Sequence, residues 1–353
     1  MKKFAVFSGF LGSGKTTTMM ALTRYYTAHH GKAAMISNDL GHGVNLADDR
    51  YAQLCGCNAS QMTEECICYQ NENLAQRLDS YFDDDCRLVV SDIPGFGVGA
   101  LEHVYHGLTE KFPGRYELAP FTVLVEPRTV ELLRSDKGGD LTYLYDTQLV
   151  EADLIVLNKC DLIDDAQRQA DAAWLTERYP QARVISISAL KGEGLEELSQ
   201  ALEQGSASMR RPDIGYGGEA FLQAMSKISE CYLQYHATVC CNDFDGNAYL
   251  LAIAAQVRDA IREAGCEIPH LKLLAWTSEG DFGKADLLGT GREIEVNHRF
   301  EKPCTELAVV LNASAACPAE LLEKAVLDGA KAASDRCQLE LLIFKQECFG
   351  MGD

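Results

Sequence analysis

The chain has 353 residues, enough for two domains at roughly 100–200 residues each. With 47% apolar and 24% charged residues it has the make-up of an ordinary globular protein, and no unbroken apolar stretch nears the roughly 18–20 residues that span a bilayer. Its 32 basic against 52 acidic residues give a formal net charge of -20, a field that repels nucleic acid and anionic lipid; neither a nucleic-acid nor a membrane partner is expected.

After Met1-Lys2-Lys3 the chain runs straight into the apolar segment Phe4-Ala5-Val6-Phe7, with no signal-peptide h-region or small-residue cleavage site, which predicts a cytoplasmic protein. Fourteen cysteines in that compartment read as reduced thiols, not as a disulfide framework; Cys86, Cys231, Cys240, Cys304 and Cys337 sit in or beside apolar runs and read as small buried hydrophobes. Directly after the first apolar segment comes Gly9-Phe10-Leu11-Gly12-Ser13-Gly14-Lys15-Thr16-Thr17, which fits G-x-x-x-x-G-K-[ST] between a strand and a helix. Gly9, Gly12 and Gly14 let the main chain curl around anionic oxygens, and Ser13 and Thr17 complete the loop and helix start that cradle a nucleotide's phosphates. Lys15 is placed to neutralise the β- and γ-phosphates, and Thr16 to offer a hydroxyl to Mg²⁺.

Further along, apolar strands are predicted at 33–36, 88–91, 121–125, 154–157 and 183–187, after the first at 4–7. Helical patterns at 15–28, 101–108, 141–149, 165–178 and 194–202 separate them. Strands apolar throughout and alternating with helices predict an α/β fold, a P-loop NTPase with a mostly parallel sheet covered by helices, and ligands at the strands' carboxyl ends. Asp92-Ile93-Pro94-Gly95 ends one such strand and fits D-x-x-G, with Asp92 on a Mg²⁺ water and the Gly95 N–H facing the γ-phosphate. Asn158-Lys159-Cys160-Asp161 ends another and fits N-K-x-D, in which Asp161 accepts from the guanine N1–H and exocyclic amine. Ser188-Ala189-Leu190 ends the next and is the segment that would contact the guanine O6. Four such motifs, each at a strand's end and in this order, predict GTP as the nucleotide. Where Ras-like GTPases orient the attacking water with a Gln after the D-x-x-G glycine, this chain has Phe96, which predicts slow intrinsic hydrolysis.

A polar connector follows, so the domains are expected at 1–204 (GTPase), 205–228 (linker) and 229–353 (C-terminal α+β). In the last part strands are predicted at 232–241, 270–277, 292–299, 306–312 and 338–344 and helices at 246–265 and 318–333, a ferredoxin-like sandwich with one strand added. Asp243-Phe244-Asp245-Gly246 reads as a strand-to-helix turn with a helix cap, and Cys348 as part of a frayed tail.

These residues resemble the CobW/HypB/UreG class of metal- and cofactor-handling GTPases, on Phe7–Thr17, Ser37-Asn38-Asp39, the segment 148–161 and Cys66-Ile67-Cys68. The resemblance covers about the first two hundred residues. It implies a GTP-dependent switch that delivers a metal ion, or helps install a metal cofactor, in a client metalloprotein or cofactor-dependent enzyme, with a nucleotide-dependent homodimer as the expected assembly. Asp39 falls in the family's switch segment near Mg²⁺. Two departures stand out: the family usually has Glu at the position of Asp92, and its Gly-Gly-Cys-x-Cys-Cys reads Glu64-Glu65-Cys66-Ile67-Cys68-Tyr69 here. Cys55-Gly56-Cys57 lies just upstream, so either Cys66 and Cys68 alone or all four thiols could hold a transferable Zn²⁺, Co²⁺ or Ni²⁺. The competing functions are a GTP-dependent activator of a corrinoid or iron–sulfur enzyme, and a non-catalytic GTP-dependent interaction module.

Overall fold

The computed structural model describes residues 2–42, 47–135, 141–240 and 242–352. It divides into two units, Met1–Leu40 with Ala52–Ala224, and Gly41–Tyr51 with Met225–Asp353. The segment Gly41–Tyr51, which the sequence places in the GTPase domain, therefore groups with the second unit, and the chain passes between units at Ala224 and Met225.

The first unit carries, in chain order, β1 (Lys3–Ser8), α1 (Lys15–His29), β2 (Ala33–Asn38), the end of α2 (Ala47–Leu54), β3 (Ala59–Met62), α3 (Asn71–Asp83) and β4 (Leu88–Asp92). Then follow α4 (Gly107–Lys111), β5 (Glu117–Leu118), β6 (Thr122–Val125), α5 (Pro127–Arg134), α6 (Thr142–Glu151), β7 (Leu154–Leu157), α7 (Asp165–Arg178), β8 (Arg183–Ser186), α8 (Leu195–Gln204) and α9 (Glu219–Met225). The strands form one parallel sheet in the order β3-β2-β4-β1-β6-β7-β8, with β5 also paired to β1. Every residue of β1, β2, β4, β6 and β7 is buried, as expected of strands covered on both faces. The helix expected at 101–108 opens instead as a wide π turn over Leu101–His106 before α4.

That π turn has a structural use. β5 and β6 are one interrupted ladder along β1, and the break falls opposite Ala5 and Val6. The Val6 N–H, left without a strand partner, donates to the fully buried Tyr105 hydroxyl at 2.9 Å.

The second unit has β9 (Ser229–Val239), α10 (Gly246–Glu263), β10 (Glu267–Trp276), β11 (Phe282–Leu287), β12 (Glu295–His298), β13 (Glu306–Ala316), α11 (Ala319–Cys337) and β14 (Leu339–Gly350). Its antiparallel sheet runs β12-β11-β10-β13-β9-β14. The stretch β10-β13-β9-β14 is the ferredoxin-like core; two strands, β11 and β12, extend it where one was expected. Along β10, Leu271, Leu273 and Ala275 join Ile253 and Val257 of α10 in the apolar core. On the alternate positions Lys272 pairs with Asp48, and Trp276 lies 5.0 Å from the Arg50 guanidinium. With the Ala47 N–H on Asn312 Oδ1 at 2.9 Å, these contacts explain why Gly41–Tyr51 belongs to this unit.

Asp245 caps α10, accepting from the Asn247 and Ala248 N–H groups. Cys348 is not in a frayed tail: β14 runs to Gly350, and Cys348 lies opposite Cys231 on β9. Cys240 is exposed, not buried, and Cys241 lies outside the described residues.

Tyr105→Phe removes the acceptor of a buried main-chain N–H and should destabilise the protein by on the order of 1–3 kcal/mol. A lowered thermal midpoint, with nucleotide binding intact in the folded fraction, is the expected result.

Candidate nucleotide site and thiol pair

The phosphate loop leaves β1 and ends at α1, and its glycines are required sterically. Gly9 has φ +131°, and a Cβ there would stand 2.4 Å from the Leu124 carbonyl oxygen and 2.8 Å from Ser13 Oγ. Gly12 has φ +83°; Gly14, at φ +91°, caps α1, and a Cβ on it would strike Asn158 Nδ2 at 2.4 Å. Lys15 turns its ammonium back over the loop onto the Gly9 carbonyl at 2.6 Å, within the curl a phosphate would share. Thr16 and Thr17 occupy the first turn of α1, where the helix dipole and the N–H groups of a helix start favour an anion. The D-x-x-G glycine is fixed by the same loop: a Cβ on Gly95 would meet Leu11 Cδ2 at 2.4 Å.

On the base side Asn158 is a three-way tie. Its Nδ2 donates to the Ser13 carbonyl at 3.0 Å and to Thr18 Oγ1 at 3.3 Å, while its Oδ1 accepts from the Ala189 N–H at 3.1 Å. It therefore sets the distance between phosphate loop and base loop before any ligand arrives. Lys159, at φ +64°, pairs with Glu126 at 2.9 Å. The Ser188 hydroxyl donates to Asp161 Oδ1 at 2.6 Å, fixing one carboxylate oxygen. Leu190 projects at 71% exposure.

On the opposite side of the phosphate loop stand Asp92, which ends β4, and Asp39, one residue beyond β2. Asp92 Oδ1 accepts the Asn38 main-chain N–H at 2.8 Å. The Asp39 N–H donates to the Met62 carbonyl at 3.2 Å, and its Oδ1 accepts from the Leu40 N–H at 2.9 Å. Thr16, Asp92 and Asp39 carry hard oxygen donors, the kind Mg²⁺ takes. Phe96 is buried and brings no donor or acceptor to this region.

Next to Asn38 lies the thiol turn. Cys66 Sγ and Cys68 Sγ are 2.8 Å apart, and the Cys68 N–H also points to Cys66 Sγ at 3.4 Å. The hydrogen bond to Cys66 and then burial push the Cys68 thiol well up from its ordinary range. Beside the turn the Tyr69 and Tyr216 hydroxyls bond each other, with the His103 ring 5.8 and 5.0 Å from theirs. The pair Cys55 and Cys57 is elsewhere in character. Arg24 donates to the Cys55 carbonyl at 2.9 Å, and although burial opposes it, the Cys57 and Cys55 groups beside it push the guanidinium further up. A fixed cation there disfavours a second one. Among the described residues no group of three or more His, Cys, Asp or Glu is arranged to hold a metal ion, so the four thiols do not form one tetrahedral cluster.

Two residues that the motifs do not single out hold the loop after Asp92. Gln148 Nε2 donates to the Gly95 and Gly97 carbonyls at 3.0 and 2.9 Å. Glu151, 2% exposed, accepts from the Gly99 and Leu101 N–H groups at 2.7 and 3.3 Å. α6 also carries Thr142, Asp146 and Thr147, so its pattern does not mark either residue; the signal available for them was that both fall in the segment 148–161 on which the family resemblance rests.

A glycine cradle on a helix start, a carboxylate at the neighbouring strand end and a braced N-K-x-D loop together define a P-loop nucleotide-binding protein. The chain belongs to the CobW/HypB/UreG family of P-loop GTPases: the model of that family's nucleotide-binding domain matches residues 3–186. Among curated proteins, GTPase Obg of Oleidesulfovibrio alaskensis is 33% identical over 130 residues, 35% of this chain and 34% of that protein. The chain thus matches about a third of the length of that relative. Among solved structures, HypB of Archaeoglobus fulgidus aligns at TM-score 0.39 and 22% identity over 57% of this chain and 89% of that one. Zn(II)-bound YjiA GTPase from E. coli aligns at TM-score 0.36 and 13% identity over 92% of this chain and 98% of that one.

Burial pushes the Glu151 carboxyl from an ordinary 4.5 up to about 7, against the pull of the Gly99 and Leu101 N–H groups and Arg210. A raised carboxyl binds its proton more tightly in the folded state, so its stabilisation is full below about 4.5 and is lost as pH rises to about 7, on the order of 3 kcal/mol at most. Glu151→Gln should flatten that part of the pH–stability profile. Parallel profiles for wild type and variant in thermal unfolding would refute this.

Proposed function

We propose that this protein is a GTP-hydrolysing metallochaperone-type GTPase that delivers a metal ion, or assists installation of a metal cofactor, in a client metalloprotein. The observation that carries the reading is the pair Cys66 and Cys68, in contact with each other and one turn from Asn38 and Asp39 at the phosphate side of the sheet. Paired thiolates favour soft or borderline cations such as Zn²⁺, Co²⁺ or Ni²⁺, and they hold these as cargo. With two thiols in the turn, the remaining coordination positions fall to water, to the client or to a second copy of the chain, which suits transfer better than storage. Cys55 and Cys57 are left out of this proposal, because Arg24 occupies their neighbourhood.

Guanine recognition rests on Asp161, whose carboxylate accepts from two donors that adenine does not present together. Lys15 and the α1 terminus neutralise phosphate charge. Thr16, Asp39 and Asp92 would hold Mg²⁺, whose charge helps spread that of the transferring phosphoryl group. Phe96 supplies nothing to orient a water, so intrinsic turnover is slow and rises when a partner, cargo or second subunit completes the site.

Asp161→Asn should weaken GTP binding by on the order of 10–100-fold, the cost of losing a charge-assisted pair of hydrogen bonds. Equal affinity of the wild type for GTP and ATP in calorimetry would overturn the guanine assignment. Cys66→Ser with Cys68→Ser should abolish Zn²⁺ loading and leave GTP binding in place; loading that survives the double substitution removes the thiol pair from the function.

A further inference from the structure

Asn38 ends β2, buried to 4% exposure, and is engaged at both its main chain and its side chain. Its main-chain N–H donates to Asp92 Oδ1 at 2.8 Å. Its Nδ2 donates to the Met62 and Glu65 carbonyls at 3.1 and 3.0 Å, and its Oδ1 accepts the Ile67 N–H at 2.9 Å. The last two bonds close around the turn that carries Cys66 and Cys68. We propose that Asn38 is the positioning residue through which the state of Asp92 sets the geometry of the thiol pair. The link is one residue long, from carboxylate to main chain to side chain to turn.

The physical argument is one of exhausted freedom. A buried amide with both ends bonded cannot turn away from one partner without leaving another unpaired. A displacement of the Asp92 carboxylate is therefore carried by the Asn38 main chain into Glu65 and Ile67, on either side of Cys66. β2 supplies the rigid base: it pairs with β4 on one side and β3 on the other, with Asn38 opposite Met62. An ionised carboxylate could not replace the amide, because the turn offers two carbonyls and one N–H, and a carboxylate accepts but cannot donate. The inference rests on the proposed function and adds to it the element that couples its two sites.

The test is Zn²⁺ affinity, by competition with a chromophoric chelator, in GDP and in a non-hydrolysable GTP analogue. Asn38→Ala keeps the main-chain bond to Asp92 and removes all three side-chain bonds. Wild type should show a ratio of about 5–150-fold between nucleotides, and the variant about twofold or less, with its affinity for the nucleotide itself changed by no more than about threefold. A variant that keeps the wild-type ratio overturns the role of Asn38 and leaves the metallochaperone reading standing. A wild-type ratio of one overturns the coupling altogether, and Asn38 with it. Should the variant fold poorly, hydrogen exchange on the wild type decides: the Ile67 and Cys68 amides should change protection between the two nucleotides, and identical exchange refutes the proposal.

Discussion

A parallel sheet buried on both faces makes a large polar or charged side chain within its strands costly to leave unbonded, and that cost shapes the edge where the chemistry of this protein gathers. β1, β2, β4, β6 and β7 are buried along their whole length. A polar side chain inside them costs a few kcal/mol unless bonded, so the polar residues collect where each strand gives way to a loop. Those places are the carboxyl ends: the phosphate loop after β1, Asn38 ending β2, Asp92 ending β4, Asn158 following β7 and Ser188 beyond β8. Because the strands are parallel and adjacent, these ends share one edge, where a fold of this kind takes its ligands.

Two asparagines give that edge its internal dimensions. Asn158 ties the phosphate loop to the base loop, and Asn38 ties the Asp92 carboxylate to the thiol turn. Each bonds main-chain groups, whose positions are fixed by the fold rather than by rotamer choice. A net gain of about 1 kcal/mol per such bond is modest, but a buried partner left unmade costs about 1–3 kcal/mol, so the ties act as geometric constraints more than as sources of stability. Gln148 and Glu151 do for the loop after Asp92 what Asn158 does for the phosphate loop.

The second unit shows how a polar sheet face can be kept folded. Lys272, Trp276 and Asn312 on one face of its sheet are each met by Asp48, Arg50 or the Ala47 main chain. Those partners come from the stretch that begins two residues after Asp39, so a segment counted as GTPase by its place in the chain is structurally part of the C-terminal unit.

Local patterns in the sequence were enough for the P-loop class, for the strand ends at which Lys15, Asp92, Asn158 and Asp161 fall, and for the ferredoxin-like order of the last unit, because each depends on apolar runs, glycine spacing and turn chemistry. The sequence alone missed short or weakly patterned elements, namely α2, α3, α5, α9, β3, β5 and β11, and it carried Cys55 and Cys57 as candidate partners of Cys66 and Cys68. Which thiols share an environment depends on Arg24, over thirty positions away in the chain, and no spacing rule contains that. In the same way, Asn38, Gln148 and Glu151 are ordinary polar residues in one dimension. Tertiary packing settles what they hold: the sheet order brings β2 between β3 and β4, which aims Asn38 at Asp92 and the thiol turn, and α6 meets the loop after β4, which aims Gln148 and Glu151 at its main chain.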